Sequence, residues 1–348
     1  MHHPPQLTRR ELLFSPAAFF LKPSNPVVSI VKIRNGNIDA AVEHAMELLG
    51  GVRAITSGKE RVMLKPNLVS PIPAATTKPA VIRTLVRLMQ GAGKDVSIGE
   101  GSAAAGGFNV QGSETFRTTN KDLLNRMQQH VFDQLGYTEL ARSLRIPLVN
   151  FHTGDLVDVK LPNSFVFDKL TIHRSLVDTD LLCSVPMMKT HSLAGVTLGM
   201  KNLIGLYPGA IYQSVRGRVH DLTSKVDSSG TAAAIVDMVR ANKLGLVVID
   251  ASTAMEGNGP TEGTLVPMEL IIAGTNPLAT DMIAAHLMGY DASGVPTFTW
   301  ANKAGLTPTC VDQIEVRGES LAASTRQFKK PPVLPWWIVR HFWATREI

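Results

Sequence analysis

The sequence predicts an α/β fold with a mainly parallel, Rossmann-like layered sheet and crossover helices. Short runs rich in Val, Ile and Leu alternate along the chain with segments of helical periodicity, which is the order expected when helices join parallel strands. With 44% hydrophobic content in 348 residues, the chain can build one large core or two modest ones. We therefore predict an α/β domain over residues 26–320, with a division into two lobes, about 26–150 and 151–320, as the open alternative.

The first part of this domain repeats the order of strand and helix. Val- and Ile-rich runs predict strands, while Asn37 and Pro79 suit the first turns of helices. The predicted order is strand 27–33, helix 37–49, strand 61–64, helix 79–90 and strand 95–98. Residues 103–121, which are rich in Gly, Ser, Thr and Asn, predict a lid or binding loop.

The second part continues the alternation around one polar stretch at 180–205. A helical pattern covers 122–144. Strands are predicted at 147–151, 157–161 and 165–172, the last two as a hairpin. Beyond the polar stretch, the predicted elements are helix 231–241, strand 244–249, strand 268–273, helix 276–288, helix 297–304 and strand 313–317.

Residues 180–205, DLLCSVPMMKTHSLAGVTLGMKNLIG, carry the main indication of a site. An apolar run that Pro186 stops predicts a short strand, and the glycines beyond it predict an exposed loop that presents Lys189, His191 and Lys201. His191 is the best candidate for a general acid or base, with Lys189 and Lys201 beside it as catalytic cations. The alternative for the lysines is a solvated surface loop.

Further polar residues follow predicted strands or lie in nearby loops. In open parallel sheets, ligands bind beyond the carboxyl ends of the strands, and Lys and Asn side chains there suit a carboxylate or phosphate. The predicted ligand-binding residues are Lys65, Asn67, Glu100, Asn202, His220 and Asn258. The run GEGSAAAGG matches neither common glycine-rich nucleotide motif, so nucleotide binding is only weakly indicated.

Asp250, Glu256 and Asp281 are candidate oxygen ligands for a divalent metal, and the cofactor is otherwise unspecified. The alternative for all three carboxylates is that they orient a lysine or histidine. Glu256 could also cap a turn, and Asp281 could occupy the first turn of a helix, where an acidic residue is favoured. Neither HExxH nor GxSxG occurs, which argues against a zinc protease or an α/β-hydrolase.

The composition disfavours several classes of protein. The formal net charge is +6, but no cluster of Lys and Arg is interleaved with aromatic residues. Nucleic-acid binding is therefore disfavoured, and the excess charge suits an anionic small molecule. Cys183 and Cys310 are too few and too far apart for a zinc knuckle or an iron–sulfur cluster. Cys183 is predicted as a core residue, and a disulfide between the two has no support.

Both ends of the sequence bear on location. Arg9 and Arg10 precede a short, mildly hydrophobic segment, and residues 1–25 resemble a twin-arginine export signal. This predicts an exported protein, periplasmic or membrane-associated; the alternative is a plain disordered tail on a cytoplasmic protein. The tail at 321–348 holds several Trp among basic residues, so it suits either a membrane surface or packing over a groove.

The segments VMLKPNLVSP, VSIGEGS, VVIDASTAMEGNGP and NPLATDMIAAHLMG, together with the stretch at 180–205, resemble the domain of unknown function 362 family over about residues 28–305. The resemblance implies a bacterial or archaeal α/β domain whose members often carry iron–sulfur centres. This chain lacks a cysteine-rich segment, so no intrinsic cluster is expected. GMKNLIGLYPG is also similar to a loop of the nickel-pincer lactate racemase group, which implies a lysine and histidines around an anionic cofactor or hydroxy acid.

Two hypotheses about function follow. The first is an exported enzyme that binds an anionic small molecule, with a metal or redox cofactor left open, and uses Lys189, His191 and Lys201 for proton transfer and charge stabilisation. The second is a non-catalytic binding or maturation module that holds an anionic cofactor or a partner redox protein in the same cleft. Both depend on one spatial prediction, which is that these three residues and Lys65 meet in a single pocket at one edge of the sheet.

Overall fold

A computed structural model describes residues 25–332 and 348. The strands are β1 (Val27–Lys32), β2 (Arg61–Pro66), β3 (Asp95–Glu100), β4 (Val110–Gln111), β5 (Glu114–Thr115), β6 (Leu148–Asn150), β7 (Leu156–Lys160), β8 (Lys169–His173), β9 (Leu181–Val185), β10 (Met187–His191), β11 (Gly195–Thr197), β12 (Leu244–Glu256), β13 (Thr264–Val266), β14 (Leu270–Gly274) and β15 (Glu315–Gly318). The helices are α1 (Ile38–Leu48), α2 (Val52–Ile55), α3 (Pro79–Gly91), α4 (Lys121–Gln134), α5 (Tyr137–Leu144), α6 (Arg174–Asp178), α7 (Gly209–Tyr212), α8 (Gly217–Thr223), α9 (Ala232–Ala241), α10 (Pro277–Leu287), α11 (Pro296–Lys303) and α12 (Leu321–Ser324). The predicted α/β class is confirmed.

The main sheet has the strand order β15-β1-β14-β12-β9-β2-β3-β6. From β12 to β6 every neighbouring pair is parallel, and so are β1 and β15. β14 runs antiparallel to both of its neighbours, β1 and β12. Parallel strands need long crossover connections, and α3 provides one between β2 and β3. The mainly parallel layered sheet is therefore confirmed, with β14 as its reversed strand.

The two faces of the sheet carry separate hydrophobic cores. Successive residues of β12 alternate between them: Leu246 and Val248 pack with α1, α3, α4 and α5, whereas Val247 and Ile249 pack with α9, α10 and α11. This alternation follows the two-residue period of strand geometry. The middle strands are buried on both faces, as expected when helices cover both sides of a parallel sheet.

Several helix ends follow local sequence signals. The side chain of Asn37 accepts a hydrogen bond from Ala40 N–H at the start of α1, and Asn276 accepts one from Ala279 N–H at the start of α10, both at 3.0 Å. Pro79 is the first residue of α3. An Asn cap and a first-turn proline are favoured because they satisfy or remove amide donors that have no helical partner.

Three predicted elements differ in detail. The helix at 122–144 is divided into α4 and α5 by Gly136, whose φ of 75° is left-handed. The hairpin predicted at 157–172 is present as β7–β8, but it forms a sheet of its own. Within residues 103–121 the chain forms the short hairpin β4–β5. The Thr118 N–H then donates to Ser214 Oγ at 3.0 Å, so this segment packs against the chain that follows the polar stretch.

The polar stretch at 180–205 is not an exposed loop. β9 ends at Val185, Pro186 interrupts the ladder, and the chain resumes as β10, whose five residues are all buried. The prediction that Lys189 and His191 are exposed is therefore wrong. β10 pairs with both β11 and β12, so its side chains are enclosed.

Features near the two ends are only partly described. Residues 1–24 of the predicted export signal and residues 333–347 of the Trp-rich tail lie outside the described residues. None of the described helices is both long enough and apolar enough to span a membrane. Cys183 is buried, as predicted, Cys310 is exposed, and both are free thiols.

Candidate functional site

Lys65 and Glu100 form a buried ion pair where β2 and β3 end. Because these strands are parallel neighbours, their carboxyl ends meet at the same edge of the sheet. Lys65 Nζ lies 2.7 Å from Glu100 Oε1, and both side chains are buried. Burial lowers the pKa of Lys65, and the Glu100 carboxylate opposes that effect. The pair forms the centre of the candidate site.

Asn202 ties this pair to the neighbouring strand β9. Its Oδ1 accepts hydrogen bonds from Lys65 Nζ at 3.1 Å and from Asn67 Nδ2 at 3.3 Å. Its Nδ2 donates to the Lys65 carbonyl and to Ser184 Oγ, each at 3.0 Å. The structure thus brings Lys65, Asn67, Glu100 and Asn202 together.

Gly205 lets the chain pass directly over the ion pair. A Cβ at this position would lie 2.5 Å from Glu100 Oε1 and 2.8 Å from Lys65 Nζ. The Glu100 carboxylate also accepts from the Leu68 and Gly101 N–H groups, each at 2.8 Å. These contacts fix the Glu100 carboxylate on several sides. Position 205 therefore has no space for a residue larger than glycine.

Lys189 is fully buried on β10, and it links two loops. Its Nζ donates to the Ala75 carbonyl at 2.7 Å and to the Pro260 carbonyl at 3.2 Å. Burial is the main reason that the pKa of Lys189 lies well below its ordinary value, and the nearby Lys201 ammonium lowers it further. Both of the hydrogen bonds described for Lys189 Nζ thus go to backbone carbonyl oxygens, which are uncharged acceptors.

Lys201 differs from the other two lysines. It begins a 3-10 helix, Lys201–Leu206, and keeps 8% of its surface exposed. Among residues 25–332 and 348, it has no hydrogen-bonded acceptor and no ion-pair partner. Burial, followed by the charges of Lys65 and Arg216, lowers the pKa of Lys201 to about 7. At neutral pH its amine is therefore present in both the charged and the uncharged form.

Asp281 and Asn202 hold the backbone on either side of Lys201. The Asp281 carboxylate accepts from Gly199 N–H at 2.7 Å and from Met200 N–H at 2.8 Å. A Cβ on Gly199 would lie 2.8 Å from this carboxylate, so the close approach requires glycine. Lys201 thus lies between Met200, whose N–H is bound by Asp281, and Asn202, whose side chain is bound to Lys65 and Ser184.

His191 has a tautomer that the backbone fixes. Its Nδ1 accepts hydrogen bonds from Leu193 N–H at 3.1 Å and from Ala194 N–H at 3.3 Å, so the proton of the neutral ring is on Nε2. Burial, followed by the charges of Lys201 and Lys189, holds the pKa of His191 well below its usual range. At neutral pH this ring is therefore an uncharged hydrogen-bond donor among cations.

His220 lies on α8, close enough to Lys201 for their charges to interact. Its Nδ1 donates to the Gly230 carbonyl at 3.2 Å. Burial, followed by the charge of Lys201, lowers the pKa of His220 to about 4. The second predicted histidine is thus also neutral at physiological pH.

Arg216 belongs to the site, but sequence reasoning did not select it. It is buried, and its guanidinium donates to the Ser102 carbonyl at 3.0 Å, to the Gly205 carbonyl at 2.9 Å and to the Gly101 carbonyl. Burial lowers the pKa of Arg216 to about 10, and the charge of Glu100 opposes this. In the sequence, Arg216 is one of several polar residues at 206–229, and its spacing does not distinguish it.

The backbone that carries Arg216 is strained. Gln213, Val215 and Arg216 have φ values of 65°, 51° and 58°. Non-glycine residues seldom adopt such values, and a β-branched residue such as Val215 is a clear outlier. Strain of this kind concentrates at functional sites, where the surrounding packing holds it. Here it accompanies the turn that brings the guanidinium to the end of β3.

The charges of the cluster are unbalanced. The Glu100 carboxylate raises the pKa of each of four buried cationic groups, which are those of Lys65, Lys189, Lys201 and Arg216. Four buried basic groups thus share one carboxylate in a region of low dielectric. Their lowered pKa values are one response to the excess of positive charge, and a bound anion would be another. Lys65, Lys189, His191 and Lys201 are near enough for their charges to interact, whereas their meeting in a single pocket stays a prediction.

The remaining predicted site residues lie apart from this cluster or have structural partners. Each metal-ligand candidate accepts backbone hydrogen bonds: Asp250 from Lys78 and Ser252, Glu256 from Lys329, and Asp281 from Gly199 and Met200. In the described part of the chain, no group of three or more His, Cys, Asp or Glu side chains is arranged to hold a metal ion. Asn258 is exposed and donates to Glu262 at 3.1 Å.

Comparisons with known proteins identify relatives of the chain. The family model described as "Domain of unknown function (DUF362)" matches residues 62–286. A thylakoid-associated protein from Synechocystis sp. is 26% identical over 280 residues, which cover 80% of this chain and 78% of that protein.

Two solved structures are similar to part of the chain. The lactate racemase apoprotein from Thermoanaerobacterium thermosaccharolyticum has 15% identity and a TM-score of 0.43, over 76% of this chain and 57% of that one. A structural-genomics protein from Thermotoga maritima has 16% identity and a TM-score of 0.41, over 72% of this chain and 58% of that one. This chain therefore spans less than two thirds of either protein.

Proposed function

The chain belongs to the DUF362 family, and on that premise we propose that it is an enzyme that binds an anionic small molecule at Lys201. The observation that carries this proposal is the state of the Lys201 amine, which has no acceptor within the described residues. It lies in a cluster where four buried cations share the Glu100 carboxylate. A carboxylate or phosphate group would supply both the missing acceptor and the missing negative charge.

Neutral groups beside Lys201 would orient the ligand. His191 presents an Nε2–H donor, because its Nδ1 is occupied by backbone N–H groups. Asn67 Oδ1 is a buried acceptor without a hydrogen bond in the described part of the chain. Its amide orientation follows from the donation of its Nδ2 to Asn202. An anion with a hydroxyl group would match this set of donors and acceptor.

Acid–base chemistry in this proposal falls to Lys201. A proton-transfer group works best when its pKa is near the operating pH, and the pKa of Lys201 is about 7. His191 contributes a hydrogen bond, since its pKa is far lower. Lys189 contributes an amine whose Nζ donates to two backbone carbonyl groups and is held in place by them.

The alternative is a non-catalytic module that holds an anionic cofactor or a redox partner in the same cleft. One observation favours it: neither ring nitrogen of His191 offers an unused lone pair for a general base. An exported location and contact of the tail with a membrane surface remain part of the proposal. The Synechocystis relative is described as thylakoid-associated, which supports a position at a membrane.

Lys201→Met should weaken the binding of inorganic phosphate and acetate by about 10- to 100-fold. The expected loss is that of one charge-assisted hydrogen bond, about 1.5–3 kcal/mol. Isothermal titration calorimetry at low ionic strength would measure it. The matched control is Lys32→Met, because Lys32 is exposed at the end of β1. Absence of binding to the unmodified protein, or an equal loss in the control, would contradict the proposal.

Sulfate binding should take up protons at pH 7–9. A bound anion favours the ammonium form, so it raises the pKa of Lys201 above its value of about 7 in the unliganded protein. Affinity should therefore fall as the pH rises through 7. Calorimetry in buffers of different ionisation enthalpy measures the uptake, and sulfate itself does not titrate in this range. Lys201→Arg should bind sulfate with little proton uptake, since arginine stays charged; equal uptake in this variant would exclude Lys201 as the source.

A further inference from the structure

We propose that Lys201 is a nucleophile that forms an imine with a ligand bearing both an anionic group and an aldehyde or ketone carbonyl. The inference rests on the proposed anion site, and it names the chemical class of the ligand. An imine-forming lysine needs an amine that is reachable, is not occupied by acceptors and is held next to the place where the ligand binds.

The three lysines of the cluster differ in that respect. Lys65 Nζ is engaged by Glu100, Asn202 and a carbonyl group. Lys189 Nζ is engaged by two carbonyl groups. Lys201 is the member of the three whose amine has no acceptor within residues 25–332 and 348, and it retains some exposed surface. The geometry therefore selects Lys201 for chemistry and the other two for structure and charge.

The surroundings of Lys201 favour its uncharged amine. Lys65 and Arg216 are the cations that most affect it, and its backbone is held by Asp281 on one side and Asn202 on the other. A lysine next to other cations in a buried site is the usual form of an activated amine. Its lowered pKa agrees with that arrangement.

The reaction is a condensation. The lone pair of Lys201 Nζ adds to the carbonyl carbon, a C–N bond forms, and the carbonyl π electrons move to the oxygen. That oxygen takes up the two protons that the amine gives up and leaves as water, while the nitrogen and carbon become doubly bonded. No oxidant or reductant is consumed. The Nε2–H of His191 is the neighbouring donor suited to the carbonyl oxygen.

The test uses glyoxylate, which carries a carboxylate and an aldehyde. Sodium cyanoborohydride reduces an imine to a stable secondary amine, so reaction leaves a carboxymethyl group that peptide mass spectrometry locates. At pH 7, we expect Lys201 to be modified at least about tenfold faster than Lys32, because a pKa near 7 leaves far more free amine than the ordinary value of about 10.4. Sulfate should slow the modification of Lys201 and leave Lys32 unaffected.

Two further measurements separate this inference from the proposed function. Lys201→Arg should keep sulfate binding and lose the fast modification. If sulfate binds to the unmodified protein but Lys201 reacts no faster than Lys32, the nucleophile is refuted and the anion site stands. If sulfate fails to bind while the neutral aldehyde acetaldehyde still modifies Lys201 selectively, the anion site is refuted and the reactive amine stands.

Discussion

Glu100→Leu should lower the free energy of unfolding by about 3–5 kcal/mol, the typical cost of removing one partner of a buried ion pair. Its carboxylate accepts from Lys65 Nζ and from two backbone N–H groups, those of Leu68 and Gly101. It also raises the pKa of the other buried cations of the cluster. Without the Glu100 carboxylate, Lys65 Nζ and the two N–H groups lose their acceptor in a buried region. Equilibrium denaturation with urea would measure the loss of stability.

Two matched variants test the cause of that loss. Lys65→Met combined with Glu100→Leu should recover part of the stability, because the double replacement removes both charges of the ion pair, while the Leu68 and Gly101 N–H groups still lack their acceptor. Asp158→Asn breaks the Lys169–Asp158 pair, whose side chains are 56% and 48% exposed, and should leave the free energy of unfolding nearly unchanged because water screens an exposed pair. A loss below about 1 kcal/mol for Glu100→Leu would show that the buried pair does not stabilise the fold.

Gly205→Ala should abolish anion binding at Lys201 and reduce the free energy of unfolding by about 1–3 kcal/mol, the usual cost of overpacking. The new Cβ would lie 2.5 Å from Glu100 Oε1 and 2.8 Å from Lys65 Nζ. Real Cβ atoms do not approach other atoms so closely, so the ion pair or the 3-10 helix that begins with Lys201 must move. Calorimetry with phosphate and thermal denaturation would record the two effects.

The control for this change is Gly294→Ala. A Cβ at Gly294 would meet no heavy atom within 4 Å, so the change should alter stability by no more than about 0.5 kcal/mol and leave phosphate affinity unchanged. If Gly205→Ala binds phosphate as tightly as the unmodified protein, the close contact above the ion pair is not needed for the site.

Local patterns were sufficient to predict most of the fold. The order of strands and helices, the caps at Asn37 and Asn276 and the first-turn proline of α3 follow from residue type and periodicity. The pairing of the strands does not follow from them, because the spacing of hydrophobic residues within a strand does not show which strands lie next to it in the sheet. The reversed direction of β14 and the separate β7–β8 hairpin were therefore seen only in the structure.

The sequence was sufficient to predict most of the residues of the candidate site, but not how deeply they are buried. Lys65, Asn67 and Glu100 meet because the ends of β2 and β3 converge, which sequence order can anticipate, and Asn202 reaches them from the 3-10 helix that begins with Lys201. The burial of Lys189 and His191 depends on partners that lie elsewhere in the chain, namely β11 and β12. Arg216 enters the cluster through left-handed backbone at non-glycine residues, and residue type predicts the opposite there.

The position of β1 between β14 and β15 has a consequence for biosynthesis. Val28 pairs with Gly274 and Val27 with Glu315, so the ribosome makes both partners of this apolar strand long after the strand itself. During translation, the VVSIVK segment is an unprotected edge of the type that associates with other chains. That edge of the sheet can close only after β14 and β15 have been synthesised, so its assembly must follow theirs.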